Sequence, residues 1–159
     1  MLDTIVREMQ GSFAAIPAEV AAIRLLAAIL LGGMIGLERE RREKPAGLRT
    51  HMLVSMAACL FIVVSQQLAA MFAETDGLRV DPLRLIEAVT AGVAFLAAGI
   101  IFTSGDKVRN TTTGASMWLA GAVGLACGSG QLPLAAMATV IVLAVLLLLR
   151  EVERWMGTR

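Results

Sequence analysis

Five apolar runs, separated by charged segments, constrain the fold of this chain more than any other feature. Hydrophobic residues make up 57% of its 159 positions, against roughly 45–50% in a typical soluble domain. An α-helix needs roughly 17–25 apolar residues to cross the hydrocarbon of a bilayer. We therefore predict an all-α integral membrane protein with a five-span transmembrane helix bundle; the alternative is four spans and one re-entrant segment. The predicted spans are about 20–37, 52–72, 85–102, 111–128 and 133–150.

Basic residues collect on one side of these predicted spans. The first loop, the third loop and the C-terminal segment together hold ten of the fourteen Lys and Arg residues. Short loops rich in Lys and Arg stay in the cytoplasm, so we predict the N-terminus outside and the C-terminus in the cytoplasm. Residues 1–19 are predicted to form a tail or an interfacial helix, 20–149 the transmembrane domain and 150–159 a short cytoplasmic tail. The ten basic residues are Arg39, Arg41, Arg42, Lys44, Arg49, Lys107, Arg109, Arg150, Arg154 and Arg159.

Small side chains recur every four residues in the first and fourth predicted spans. This spacing places them on one face of a helix, and small residues let membrane helices approach closely. The third predicted span carries a less regular set, Gly92, Ala94, Ala98 and Gly99. We predict that these faces pack tightly, within one chain or between two copies. The predicted packing residues are Gly32 and Gly36 in the first span and Ser116, Ala120, Gly124 and Gly128 in the fourth.

Two charged residues, Arg24 and Glu87, fall within the outer turns of predicted spans. A charge inside the membrane is costly unless it is paired or hydrated. The simpler interpretations are an Arg24–Glu87 ion pair or side chains that reach to the interface. The functional alternative is a cation entry site at Glu87, in which Glu87 and Asp81 are the candidate ligands for Mg²⁺.

The first loop mixes three glutamates with its bases. Carboxylates can bind Mg²⁺, but a solvated, self-paired charge run that sets the topology is the simpler interpretation. The segment 44–47 reads as a turn in which Gly47 is available for a positive φ. Arg49 could bind lipid phosphate or cap a helix, and threonines at 111–113 predict the N-cap of the fourth span. The three glutamates are Glu38, Glu40 and Glu43.

Enzymatic signatures are absent from the sequence. It contains no nucleophile–base pairing, no glycine-rich phosphate loop and no His-Glu-x-x-His spacing. Cys59 and Cys127 lie in apolar runs without ligand spacing, so we predict buried free thiols. We expect a protein that is not an enzyme, has no resident cofactor and binds no nucleic acid. The expected partners are membrane lipids and either further copies of the chain or another membrane protein.

Several motifs in a fixed order cover the chain from about Arg24 to Arg150, most clearly at 33–40 and 44–54. Together they resemble the membrane domain of the MgtC/SapB family. The chain departs from the usual family pattern at Ala94 and Ala97, which replace glycines, and at residues 110–111. The weaker motifs are 81–84, 95–99, 105–109, 112–118 and 124–128. The residues that carry the resemblance include Gly36, Glu38, Arg39, Lys44, Pro45, Gly47, Arg49, Thr50, Gly99, Arg109, Thr112, Thr113 and Trp118.

The resemblance implies a multi-pass protein of the bacterial inner membrane, linked to Mg²⁺ homeostasis and, in some members, to virulence. Longer members carry a soluble cytoplasmic domain after the last span, and the resemblance here is to the membrane domain only. Better-studied members resemble regulators of other membrane complexes, including the ATP synthase, more than Mg²⁺ pumps. Our first hypothesis is a regulatory or accessory membrane protein that acts through partner contacts. The alternative is a small oligomeric cation (Mg²⁺) transporter or channel.

Overall fold

Five helices and one β-hairpin form the part of the chain that the computed structural model describes, namely Met1, Phe13 and residues 15–72, 81–105 and 107–155, with side chains as far as Leu148. By length and composition, the first three helices are apolar enough to cross a membrane. The five predicted helices are confirmed, whereas five membrane crossings stay a prediction. In chain order the elements are α1 (Ala18–Glu40), α2 (Leu48–Phe72), α3 (Pro82–Ile100), β1 (Phe102–Ser104), β2 (Lys107–Arg109), α4 (Thr111–Gly128) and α5 (Leu132–Trp155).

Local sequence signals set several helix ends. At the start of α3, Asp81 Oδ1 accepts a hydrogen bond from Leu83 N at 3.0 Å, and Pro82 occupies the first helical position, where its missing N–H costs nothing. At the end of α4, Gly130 adopts φ +81°. Its N–H donates to Cys127 O, and the next N–H, from Gln131, donates to Ala126 O. This is a Schellman ending, which favours glycine at the left-handed position.

The backbone of the α1–α2 loop differs from the prediction of a positive φ at Gly47. The residue with positive φ is Glu43, at +52°, and not Gly47. The carboxylate of Glu40 folds back against Gly47, so that a Cβ there would overlap Glu40 Oε2. In this position Glu40 Oε2 accepts a hydrogen bond from Leu48 N at 2.9 Å and satisfies the first turn of α2. Glycine is therefore needed at position 47 because the carboxylate of Glu40 occupies the space that a Cβ would fill.

The connection from α3 to α4 also differs from the prediction. The third span was expected to continue to 102, but α3 ends at Ile100 and Phe102 begins an antiparallel hairpin. The threonines at 111–113 do not provide the N-cap; this position belongs to Asn110, whose φ is +65°. Asn110 Nδ2 donates to Ile100 O at 3.0 Å, which closes the hairpin at its base.

Helix α4 lies at the centre of the bundle and contacts all four other helices. It packs most closely on α1 and α2, while α3 and α5 cover its remaining sides. The predicted packing faces are used here: a Cβ at Gly32 would lie 2.6 Å from Ser55 Cβ, and one at Gly128 would lie 2.7 Å from Cys59 O. Both cysteines are buried free thiols, as predicted.

The small residues of the third predicted span pack differently from the other two sets. Helix α3 contacts α4 through Val93 and Ala97, and it scarcely touches α2. Nothing lies within 4 Å of a Cβ placed at Gly92 or Gly99. Ala94 and Ala98 are exposed. These four residues do not serve as packing contacts within the described chain, because the buried stripe of α3 falls on a different face.

The two chain ends are covered only in part. The predicted tail or interfacial helix at 1–19 lies mostly outside the described residues, and α1 already begins at Ala18. At the other end α5 continues to Trp155, beyond the predicted end of its span at 150.

Candidate functional site: a buried polar cluster

A cluster of polar side chains is buried at one end of the bundle. We call this the basic end, because the α1–α2 loop and the β-hairpin both lie there. The end of α1, the start of α2 and the start of α4 meet at this point, and the later part of α5 lies beside them. The polar cluster consists of Glu38, Arg39, Arg42, His51, Thr113 and Ser116.

Glu38 is the central charge of the polar cluster. Its side chain is only 8% exposed, and it forms ion pairs with Arg42 and, at 3.5 Å, with Arg39. Arg39 in turn donates from Nη2 to Thr113 Oγ1 of α4 at 3.4 Å. Arg42 donates from Nη2 to the carbonyl oxygen of Leu146 in α5 at 3.3 Å. One carboxylate thus organises two arginines that reach to two other helices.

His51 forms the second half of the polar cluster. Its ring is fully buried, with Nδ1 2.8 Å from the carbonyl oxygen of Gly47 and Nε2 3.1 Å from Ser116 Oγ. Since a carbonyl only accepts, Nδ1 is the donor in the first contact. Ser116 Oγ also lies 2.9 Å from Thr113 O, and its single hydroxyl proton serves either this carbonyl oxygen or Nε2 of a neutral His51. His51 therefore joins the start of α2 to the start of α4.

The polar cluster is costly to bury. Arg39 Nε in the polar cluster and Ser55 Oγ, one helical turn after His51 in α2, are buried without a hydrogen-bond partner among the described residues, and such groups cost about 1–3 kcal/mol each. Apolar packing of similar volume is often as stable as a buried ion pair or more so. This arrangement gives the basic end a defined geometry, in which α1, α2, α4 and α5 are tied together, at the expense of stability.

At the opposite end of the bundle, the side chain of Arg24 caps the C-terminus of α4. Its Nη1 donates to Gly128 O at 2.8 Å and to Gln66 Oε1 at 3.0 Å. Gly128 is the last residue of α4, where free carbonyls and the helix dipole favour a cation. The expected Arg24–Glu87 ion pair is not among the ion pairs of the described residues, since Arg24 caps α4 instead.

Comparison with known proteins decides the family. The model of the MgtC family matches residues 25–155, which include all five helices apart from the first turns of α1. The chain belongs to the MgtC family. The match covers every residue of the polar cluster and the whole of α4, and Arg24 lies one residue before it.

Relatives in the MgtC family are substantially longer. The chain is 42% identical to Protein MgtC of Brucella abortus over 84% of its length and 53% of that protein. It is 41% identical to Protein MgtC of Salmonella typhimurium, over 81% of the chain and 52% of the relative. A Haemophilus influenzae protein is 37% identical over 83% of the chain and 56% of its own length. The chain thus spans about half the length of these curated relatives. No solved structure matches it.

The structure divides the residues that carry the MgtC-family resemblance into three groups. Gly36, Glu38, Arg39, Gly47 and Thr113 lie in or against the polar cluster. A second group surrounds an open depression of about 560 Å³ in the α1–α2 loop, together with Glu40 and Glu43. The third group is exposed elsewhere on the bundle. The second group is Lys44, Pro45, Arg49 and Thr50, and the third is Gly99, Arg109, Thr112 and Trp118.

The two candidate metal ligands lie on α3 at the end opposite the polar cluster. Glu87 is exposed, and Asp81 is exposed while it caps the helix. Among the described residues, no group of three or more His, Cys, Asp and Glu side chains is close enough to hold a metal ion. A role of Glu87 or Asp81 in cation binding stays a prediction.

Sequence reasoning missed three polar contacts, two in the polar cluster and one at Arg24. Arg42 was read only as a topology signal, although its spacing of four from Glu38 favours a helical ion pair. The partner of His51 is Ser116, 65 residues away, which no local pattern indicates. Gln66 accepts the hydrogen bond from Arg24. A polar side chain inside an apolar run is a signal for such a partner of a charged residue.

Proposed function

We propose that this chain is a five-span protein of the bacterial inner membrane, with its N-terminus outside and its C-terminus in the cytoplasm. It acts in Mg²⁺ homeostasis as a non-enzymatic regulatory or accessory protein, through contact with another membrane protein. Membership of the MgtC family and three helices suited to cross a membrane support this proposal. The basic loops at one end of the bundle support the orientation.

The incomplete packing of α3 is the observation that carries the proposal. Only Val93 and Ala97 are buried along this 19-residue helix. Phe95 is 80% exposed, and the small residues Ala94 and Ala98 are exposed beside it. Between helices in a membrane, small residues permit backbone contact and dispersion attraction that large residues prevent. The face of α3 formed by Ala91, Ala94 and Ala98 is thus suited to a second transmembrane helix.

The charged residues of the bundle support a contact function in a different way. Arg24, Glu38, Arg39 and Arg42 all bind groups inside the same chain. These contacts tie α1, α2, α4 and α5 together, whereas the described side chains of α3 make no hydrogen bond or ion pair to another helix. A bundle whose other helices are held in this way is a suitable receptor for a membrane partner at α3, because little ordering is needed on binding.

Ala98→Trp should impair growth in low Mg²⁺ without changing the fold. Ala98 is exposed, so the indole is accommodated in the isolated chain but prevents close approach of a partner helix. The measurement is growth of a deletion strain that carries each variant, together with the unfolding midpoint of each purified protein in detergent. We expect at least a ten-fold loss of complementation at an unchanged midpoint.

Val140→Trp is the matched control, because Val140 is 62% exposed on α5. It should complement like the unsubstituted chain. Equal growth with Ala98→Trp and Val140→Trp would contradict a contact through α3, and a lowered midpoint of Ala98→Trp would reveal an internal contact instead.

Transport of Mg²⁺ is the second candidate function, and the position of Glu87 favours it. Its carboxylate is exposed on an apolar helix and has no ion pair among the described residues; a charge at such a position is expensive and usually functional. If the chain transports Mg²⁺, liposomes that contain only the purified protein should take up Mg²⁺, and Glu87→Gln should abolish that uptake. The control is Glu43→Gln in the α1–α2 loop. No uptake under several gradients would leave the partner function as the sole candidate.

A further inference from the structure

The two strands of the β-hairpin between α3 and α4 are exposed. All six strand residues are exposed, from Phe102–Ser104 in β1 to Lys107–Arg109 in β2. A two-stranded hairpin alone is marginally stable in water at best. The hairpin extends directly from two bundle helices at the basic end. A second surface is therefore expected to stabilise it.

The strand register sorts the hairpin side chains into two faces. Phe102 pairs with Arg109, Thr103 with Val108, and Ser104 with Lys107. Directly paired residues of an antiparallel ladder share a face, and successive residues alternate. One face thus carries an aromatic ring and both bases, and the other carries Thr103 and Val108.

The hairpin is also fixed in direction. Asn110 Nδ2 donates to Ile100 O across its base at 3.0 Å, and the left-handed backbone of Asn110 turns the chain into α4. Phe102 lies two residues after the apolar helix α3 ends. The aromatic ring is thus nearest the hydrocarbon boundary, and Lys107 and Arg109 are on the same face of the hairpin.

We propose that this face of the hairpin binds anionic phospholipid headgroups of the inner leaflet. Lys107 and Arg109 contact the phosphates, and Phe102 enters the upper acyl region. Charge complementarity carries the choice of lipid: the face bears the two bases of the hairpin, and with the one acid of the segment, Asp106, residues 102–109 keep a net charge of +1. The inference rests on the cytoplasmic placement of the basic end in the proposed function. It adds a site and a ligand class.

The expected strength follows from the number of bases. Each Lys or Arg at an anionic surface contributes attraction equivalent to about a five-fold change in binding, so the two together give about 30-fold. This attraction is electrostatic and falls as salt is added. In an uncharged bilayer only Phe102 remains to hold the hairpin at the surface.

A nitroxide attached through Thr103→Cys tests the proposal in the full chain, because Thr103 lies on the face away from the lipid. The protein is placed in nanodiscs of phosphatidylcholine, with or without phosphatidylglycerol, and label mobility is measured. We expect an immobilised label with phosphatidylglycerol and a mobile one without it. Lys107→Gln with Arg109→Gln should reduce the immobilised-to-mobile ratio about 30-fold in the anionic bilayer.

The matched control removes two other exposed bases at the same end, through Arg41→Gln with Arg49→Gln. This pair should leave label mobility unchanged. The same loss with either pair would replace a hairpin site by diffuse attraction, and equal mobility in both bilayers would overturn the proposal. Labelling of the same cysteine in intact cells, from the periplasm only, would refute the orientation independently of lipid binding.

Discussion

Glu38→Gln lowers the free energy of unfolding by about 3–5 kcal/mol, the cost of removing one partner from a buried ion pair. Glu38 is the acid that pairs with both Arg39 and Arg42 in the polar cluster. Glutamine has nearly the same shape, so the loss arises from two guanidinium groups left without a counter-charge. Reversible unfolding in mixed detergent, followed by circular dichroism, measures the change.

Glu43→Gln is the control for this experiment, because Glu43 is exposed in the adjoining loop and loses the same charge. Its effect should stay within about 0.5 kcal/mol. In the double variant Glu38→Gln with Arg42→Gln, one of the two unpaired cations is also removed, so part of the stability should return. Equal effects of Glu38→Gln and Glu43→Gln would show that the ion pairs contribute nothing.

Gly124→Leu should separate α2 from α4 and destabilise the bundle by about 3 kcal/mol or more, at the upper end of overpacking costs. A Cβ at Gly124 would overlap the carbonyl oxygen of Ser55 and lie 2.7 Å from its carbonyl carbon. Both groups in this clash belong to backbone, so neither can move without displacing a whole helix. The unfolding midpoint in detergent measures the loss.

The same substitution at Gly99 provides the comparison. Nothing lies within 4 Å of a Cβ at Gly99, and leucine is suited to an apolar helix surface. Gly99→Leu should therefore leave the midpoint nearly unchanged. If Gly124→Leu and Gly99→Leu had the same unfolding midpoint, the close contact of α2 and α4 would be refuted.

Most of the helical framework could be predicted from the sequence, because apolar runs and charged breaks directly reflect helix length. The four-residue spacing from Ser116 to Gly128 correctly marked the face of α4 that packs closely. The same type of evidence failed in α3, where Gly92 and Gly99 lie over open space. A small residue permits close contact, but the position of the neighbouring helix decides whether contact occurs.

The candidate site was less accessible to sequence reasoning. Its residues come from three helices and the α1–α2 loop, and the contacts from Arg39 to Thr113 and from His51 to Ser116 span 74 and 65 residues. The sequence favoured a solvated, self-paired charge run that includes Glu38 and Arg39, and this was wrong for these two residues, which are buried between helices. The hairpin was missed because six residues with little alternation give almost no strand signal.

Side-chain hydrogen bonds hold helix α4 at both of its ends and so limit how it can move. Arg24 holds its final carbonyl, while Arg39 and His51 hold hydroxyls in its first two turns. Sliding or rotation of this rod relative to α1 and α2 would break all three bonds together. The described side chains of α3 make no such bond to another helix. In a thinner or thicker bilayer, α3 should therefore change its tilt most, while α4 keeps its position relative to α1 and α2.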